Sequence, residues 1–144
     1  MGYTHFWKRE PRLSEVMFQS VINDLQKVLA DIDIPLAGSE GEGEPFLSLD
    51  KIVFNGVAGQ GCENFRVLRV DAPRMDRSKV HSFCKTQKLP YDLVVQVALI
   101  IMKHYFSKAI KVSSNGVDED WQKAKDICQE NLGYGSDFEL ETNS

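Results

Sequence analysis

Aromatic and polar residues alternate over positions 3–7, which predicts a short strand near the N-terminus. The alternation sets Tyr3, His5 and Trp7 on one face and Thr4 and Phe6 on the other. After Pro11 the period lengthens. Met17, Val21, Leu25, Val28, Leu29 and Ile32 recur at helical spacing, the pattern of an amphipathic helix. Ser14 suits its N-cap and Glu15 its first turn. Pro35 sets the far limit, because its ring disfavours a helical predecessor.

Positions 37–45 read AGSEGEGEP and offer no large apolar side chain, so a mobile acidic loop is expected there. Residues 51–54 and 65–70 are β-branched and aromatic and predict the two strands of a hairpin. A long glycine-rich loop, opened by Asn55-Gly56, joins them. Residues 80–83 read as another strand. Pro90 and Asp92 mark a helix start, and 91–106 is apolar almost all round, which predicts a central buried helix. A strand over 109–113 is turned by Asn115-Gly116. A last helix carries Trp121, Ala124, Ile127 and Cys128, with Gly133 and Gly135 ending it.

The order is β-α-β-β-β-α-β-α. It predicts a single α+β domain over 1–134, a small, mainly antiparallel sheet with about three helices packed on it. The acidic stretch 135–144 is expected to be a disordered tail. A helix apolar on every side needs cover on every side. If a flank such as Ile101 or Tyr105 stays bare, a homo-oligomer is expected.

At 144 residues and 42% hydrophobic, the chain can form one core without disulfide or metal. No apolar run reaches the roughly 20 residues of a membrane span. No secretory leader pattern opens the sequence, and Phe6 stands where a myristoylation motif needs Ser or Thr. Cys62, Cys84 and Cys128 are scattered, as are His5, His81 and His104. That usage predicts neither a disulfide framework nor a metal site, and it fits a reducing cytoplasm. No cofactor is expected.

Charge is segregated. The net charge is -4, but Glu130, Asp137, Glu139 and Glu141 follow the last basic residue, Lys125. Between 31 and 50 lie six acids and no Lys or Arg. Between 66 and 88 lie seven bases (Arg66, Arg69, Arg74, Arg77, Lys79, Lys85 and Lys88) against Asp71 and Asp76. Such a local excess attracts phosphate groups, or else is a solvated face. The acidic whole, with pI near 5.4, disfavours bulk nucleic-acid binding.

Several strings carry a resemblance: M-G-Y-T-H-F-W at 1–7, I-V-F-N-G at 52–56, C-E-N-F at 62–65, F-C-K-T with P-Y-D across 83–92, and S-S-N-G at 113–116. Together they resemble an uncharacterised family of short proteins carried by bacteriophages, some bacteria and large DNA viruses. The resemblance implies a small accessory protein in the host cytoplasm, with the blocking of host immunity as its expected task. It transfers no catalytic residue.

Two stretches could form a ligand site. The first, 83–92, brings Lys85, Thr86, Lys88 and Tyr91 to the N-terminal end of the most apolar helix, where unpaired N–H groups favour anions. Helix capping by Thr86, Pro90 and Asp92 explains the same residues. The second is the N-terminal strand. Phe6 is expected in the core, whereas Trp7 suits either the core or stacking on a base, with Arg9 and Arg12 near its phosphates. The glycines of 56–63 lack the following helix that a phosphate loop needs, so a flexible lid or hairpin loop is expected.

Catalysis is the weaker case. Cys84 beside Lys85 lacks a visible base, and Glu63 and Asp92 are the other polar candidates. The expected function is non-enzymatic binding of a small anionic, nucleotide-like ligand through Trp7, Arg9, Lys85, Thr86 and Tyr91, in a phage setting by sequestering a host immune signal. The alternatives are a protein-binding inhibitor of a host factor and a small enzyme.

Overall fold

The structure, a computed structural model, describes residues 2–74 and 77–141. The N-terminal alternation forms β1 (Thr4–Arg9), whose antiparallel neighbours are β6 (Val80–Lys85) and β7 (Ile110–Ser114). This sheet has the order β6-β1-β7. A second sheet is built on β4 (Lys51–Gly56), which pairs antiparallel with β5 (Phe65–Leu68) and with the two-residue strands β2 (Leu36–Ala37) and β3 (Phe46–Leu47). Three helices complete the fold: α1 (Glu15–Leu29), α2 (Asp92–Phe106) and α3 (Gln122–Leu132). The class is α+β, as the periodicities predict. No helix among the described residues is long and apolar enough to cross a membrane.

The core gathers on α2. Val94 to Met102 are buried without a break, against α1, α3 and β7. Ile101 is fully buried, and the half-buried Tyr105 donates its hydroxyl to Asp24 on α1 at 2.6 Å. The chain therefore covers its own apolar helix, and the burial argument for a homo-oligomer loses its basis. Ser14 caps α1 as expected, accepting from the Met17 N–H at 3.3 Å. That helix stops at Leu29, short of Ile32. Asp31 and Asp33 oppose the negative end of the helix dipole, so the repeat of apolar residues outlasts the helix.

Three segments differ from expectation. The acidic loop 37–45 is held at both ends by β4 and in the middle by Asn64, which accepts from the Glu40 N–H and donates to the Ser39 hydroxyl and the Glu40 carboxylate. The glycine-rich loop is fastened instead of free. The Asn55 side chain donates to the Cys62 carbonyl and accepts from the Gly56 and Cys62 N–H groups. A Cβ at Gly56 would lie 2.2 Å from the Gln60 carbonyl oxygen, so this close approach requires glycine. The tail is docked as far as Glu141. Phe138 is buried and stacks on Trp121 at 5.2 Å, and the Glu141 N–H donates to the Val112 carbonyl of β7. The last three residues of the predicted tail lie outside the described residues.

Candidate functional site

Alternation in β1 turns His5, Trp7 and Arg9 inward. Trp7 is a core residue, 2% exposed and tilted against Phe65 at 5.2 Å, so no face of its indole is open to a ligand. Arg9 is equally buried. Its guanidinium donates to the carbonyls of Glu10, Pro11, Leu68 and Arg69. It fastens the end of β1 to the end of β5, and four of its five N–H donors are directed at backbone. Burial lowers its pKa, although nearby Asp71 acts the other way.

The entrance to α2 does bring Lys85, Thr86 and Tyr91 together, but the Thr86 and Tyr91 hydroxyls are already bonded within the chain, and no side chain caps the helix end. The Tyr91 hydroxyl donates to the Glu63 carbonyl at 2.7 Å, and the Lys85 N–H donates to the Glu63 carboxylate at the same distance. Thr86 is fully buried and donates to Asp92 at 2.6 Å. The turn that follows holds Gln87 and Lys88 at φ of 55° and 60°, a left-handed pair that costs about 1–2 kcal/mol per residue. The Thr86 and Leu89 backbone bonds keep it in place. Cys84 is wholly buried, and burial pushes its thiol up to about 12, so it carries no thiolate at neutral pH.

Below this entrance runs a buried polar chain that the sequence did not reveal. His5 Nε2 lies 2.6 Å from Asp92 Oδ1, and His5 Nδ1 lies 2.8 Å from Ser114 Oγ. Gln96 donates to the other Asp92 oxygen at 3.1 Å. The carboxylate fixes the proton on Nε2, so Nδ1 accepts from the serine hydroxyl. The order Ser-His-Asp is that of a hydrolase triad, but the surroundings do not serve acyl transfer. An oxyanion needs N–H donors aimed at the reacting centre. The Gly116 N–H is directed at Ser114 itself, and the Asn115 N–H at the Thr4 carbonyl. Tyr3 packs edge-on against His5 at 5.0 Å, and a Cβ at Gly116 would lie 2.4 Å from the Tyr3 hydroxyl. The network ties β1, β7 and α2 together. Among the described residues no cluster of His, Cys, Asp or Glu is arranged to hold a metal ion.

A concave site does exist beside the edge strand β6. It has a volume of about 360 Å³, and its lining includes Arg66, Arg74, Arg77 and Lys79, with Asp71 the acid among the described lining residues. His81, Ser82 and Phe83 of β6 complete one wall. Arg66 projects from β5, where its neighbours Phe65 and Val67 are buried and it is exposed. Lys79 is ion-paired with Glu10, whereas Arg74 and Arg77 stand exposed on the connection between the sheets. His81 has its pKa lowered by desolvation and by the cations Arg77 and Lys8. The signal was present in sequence as the run of bases. What was missing was that β6 returns close to β5, so Arg66 on β5 and the bases of the connection converge. No family model, curated protein or solved structure matches the chain.

Proposed function

We propose that the protein binds a small phosphate-bearing, nucleotide-like ligand, without transforming it, in the basic cleft beside β6. The observation that carries this reading is the cleft itself: four cationic side chains around about 360 Å³, of which Lys79 is paired with Glu10, and Asp71 the acid among the described lining residues. Pockets for small ligands start at roughly 300 Å³, so a mononucleotide is of the right size. Arg74 and Arg77 present planar, forked donors suited to phosphate oxygens. The biological role we attach is sequestration of a nucleotide signal of host immunity, in line with the phage-like resemblance of the sequence.

Calorimetry with inorganic phosphate, mononucleotides and cyclic nucleotides tests this. Removing one charge-assisted contact by Arg74→Ala or Arg77→Ala should weaken binding by about 1.5–3 kcal/mol, roughly ten- to a hundredfold. Melting temperature should hold, since both side chains are exposed. A panel that gives no binding at low salt, or binding indifferent to both substitutions, would overturn the reading.

A further inference from the structure

The sheet that forms one wall of the cleft has a second face. In β1 the outward positions are Thr4, Phe6 and Lys8, since His5, Trp7 and Arg9 point into the core. The register sets these positions in rows across the sheet. His81, Lys8 and Lys111 form one row, and Phe83, Phe6 and Ser113 the next. Lys85 lies opposite Thr4 in a third. Phe83 is 62% exposed and Phe6 36%, although residues of this kind are ordinarily buried. None of the outward positions in these rows is acidic.

We propose that this open face is a base-stacking platform, and that the ligand it completes is a short single-stranded nucleic acid. The proposal rests on the cleft being a phosphate site and extends it. Two exposed aromatic rings sit directly opposite each other on neighbouring strands. Strands in a sheet are about 4.7–4.9 Å apart, so the rings can each carry one of two successive bases. Cations flank the rings, with Lys8 and Lys111 on one side and Lys85 on the other. That is the complement of a polyanion bearing flat apolar faces. The two features are continuous, because His81 and Phe83 belong both to the sheet face and to the cleft lining. A strand crossing β6 therefore places phosphate among Arg66, Arg74 and Arg77 and its bases on Phe83 and Phe6.

Stacking accepts any base, so recognition on this face carries little sequence preference. The acidity of the whole chain does not oppose the fit. Six of the acids lie in residues 31–50, around the short strands of the other sheet, while the acidic tail meets this sheet at its β7 edge, on the far side of β1 from Phe83.

Fluorescence anisotropy with labelled oligo-dT and oligo-U of about ten nucleotides, competed by dTMP or UMP, tests the platform at several salt concentrations. The decamer should bind at least about tenfold tighter than the mononucleotide, with log affinity falling against log salt by about 0.7 per phosphate engaged. Phe83→Ala should lose about tenfold for the decamer, the double variant Phe6→Ala/Phe83→Ala more, and Phe83→Trp should restore binding. All should retain the wild-type circular dichroism spectrum, and Phe6→Ala, at a residue outside the cleft lining, should also retain the wild-type affinity for inorganic phosphate. Preference for oligo-U or for oligo-dT would identify the natural strand as RNA or DNA, and either supports the platform. A decamer that binds no tighter than the mononucleotide, or one indifferent to both aromatic substitutions, would overturn it while leaving the cleft intact. Failure of inorganic phosphate, mononucleotide and decamer alike would remove cleft and platform together.

Discussion

Arg9 shows how far a single residue can depart from its usual place. An arginine at the end of a short strand reads as a surface cation, and its partners, the carbonyls of the next two residues and of the distant Leu68 and Arg69, leave no mark in the sequence. Its position was nonetheless constrained. Arg9 shares the period-2 face of His5 and Trp7, so once Trp7 is in the core Arg9 must follow. Which face of the strand turns inward was the undetermined choice, and with it the exchanged roles of Phe6 and Trp7. Expected in the core, Phe6 faces out because the helices cover the side that bears Trp7. Substituting Arg9 by Met should leave four buried carbonyls short of a donor and cost on the order of 3–5 kcal/mol in urea unfolding, with Lys a poor replacement for the forked geometry. If Arg9 instead served a ligand, Arg9→Met would lose binding and keep its stability.

At the level of elements, the strongly periodic pieces were legible and the weakly periodic ones were not. α2 announced itself by fifteen residues of nearly continuous apolarity. β2 and β3, two residues each, carry no periodicity, and they exist because β4 offers unpaired edge groups to them. The docking of residues 135–141 turns on Phe138 and Leu140, two apolar side chains in an acidic stretch that reads as solvated by composition. Phe138 covers Trp121, which in turn packs against His5 at 4.8 Å. The tail thus supports the buried polar chain from outside. Phe138→Ala should cost about 3 kcal/mol, and in hydrogen exchange the Glu141 amide should be protected in the wild type and lose that protection in the variant. Fast exchange at Glu141 in the wild type would show that the tail is not docked in solution.

Over the whole molecule, the segregation of charge in the sequence becomes a segregation in space. Bases from β5 and from the connection that follows it meet at one cleft, while the acids of residues 31–50 surround β2 and β3 at the other sheet. The sequence located the charge but assigned the ligand to the α2 entrance, since Lys85 and Thr86 stand beside a helix N-terminus. There the Thr86 and Tyr91 hydroxyls are spent on partners within the chain. Cleft occupancy should also depend on pH through His81. In the free protein Arg77 and Lys8 disfavour its proton; a bound phosphate favours it. Binding therefore takes up a proton and should tighten as pH falls through the pKa of the complex, by up to about tenfold for each unit the pKa rises.

Phosphate binding in the cleft is tested most directly by a heteronuclear NMR titration with inorganic phosphate and then with a mononucleotide. Saturable shifts should concentrate at Arg66, Arg74, Arg77, Lys79 and the strand His81–Phe83, with the His81 ring titrating at higher pH in the complex. Resonances of Trp7, Arg9, Thr86 and Tyr91 should stay in place. Shifts centred on Thr86 to Asp92 with the cleft unmoved, or no saturable shift with either ligand, would contradict the account.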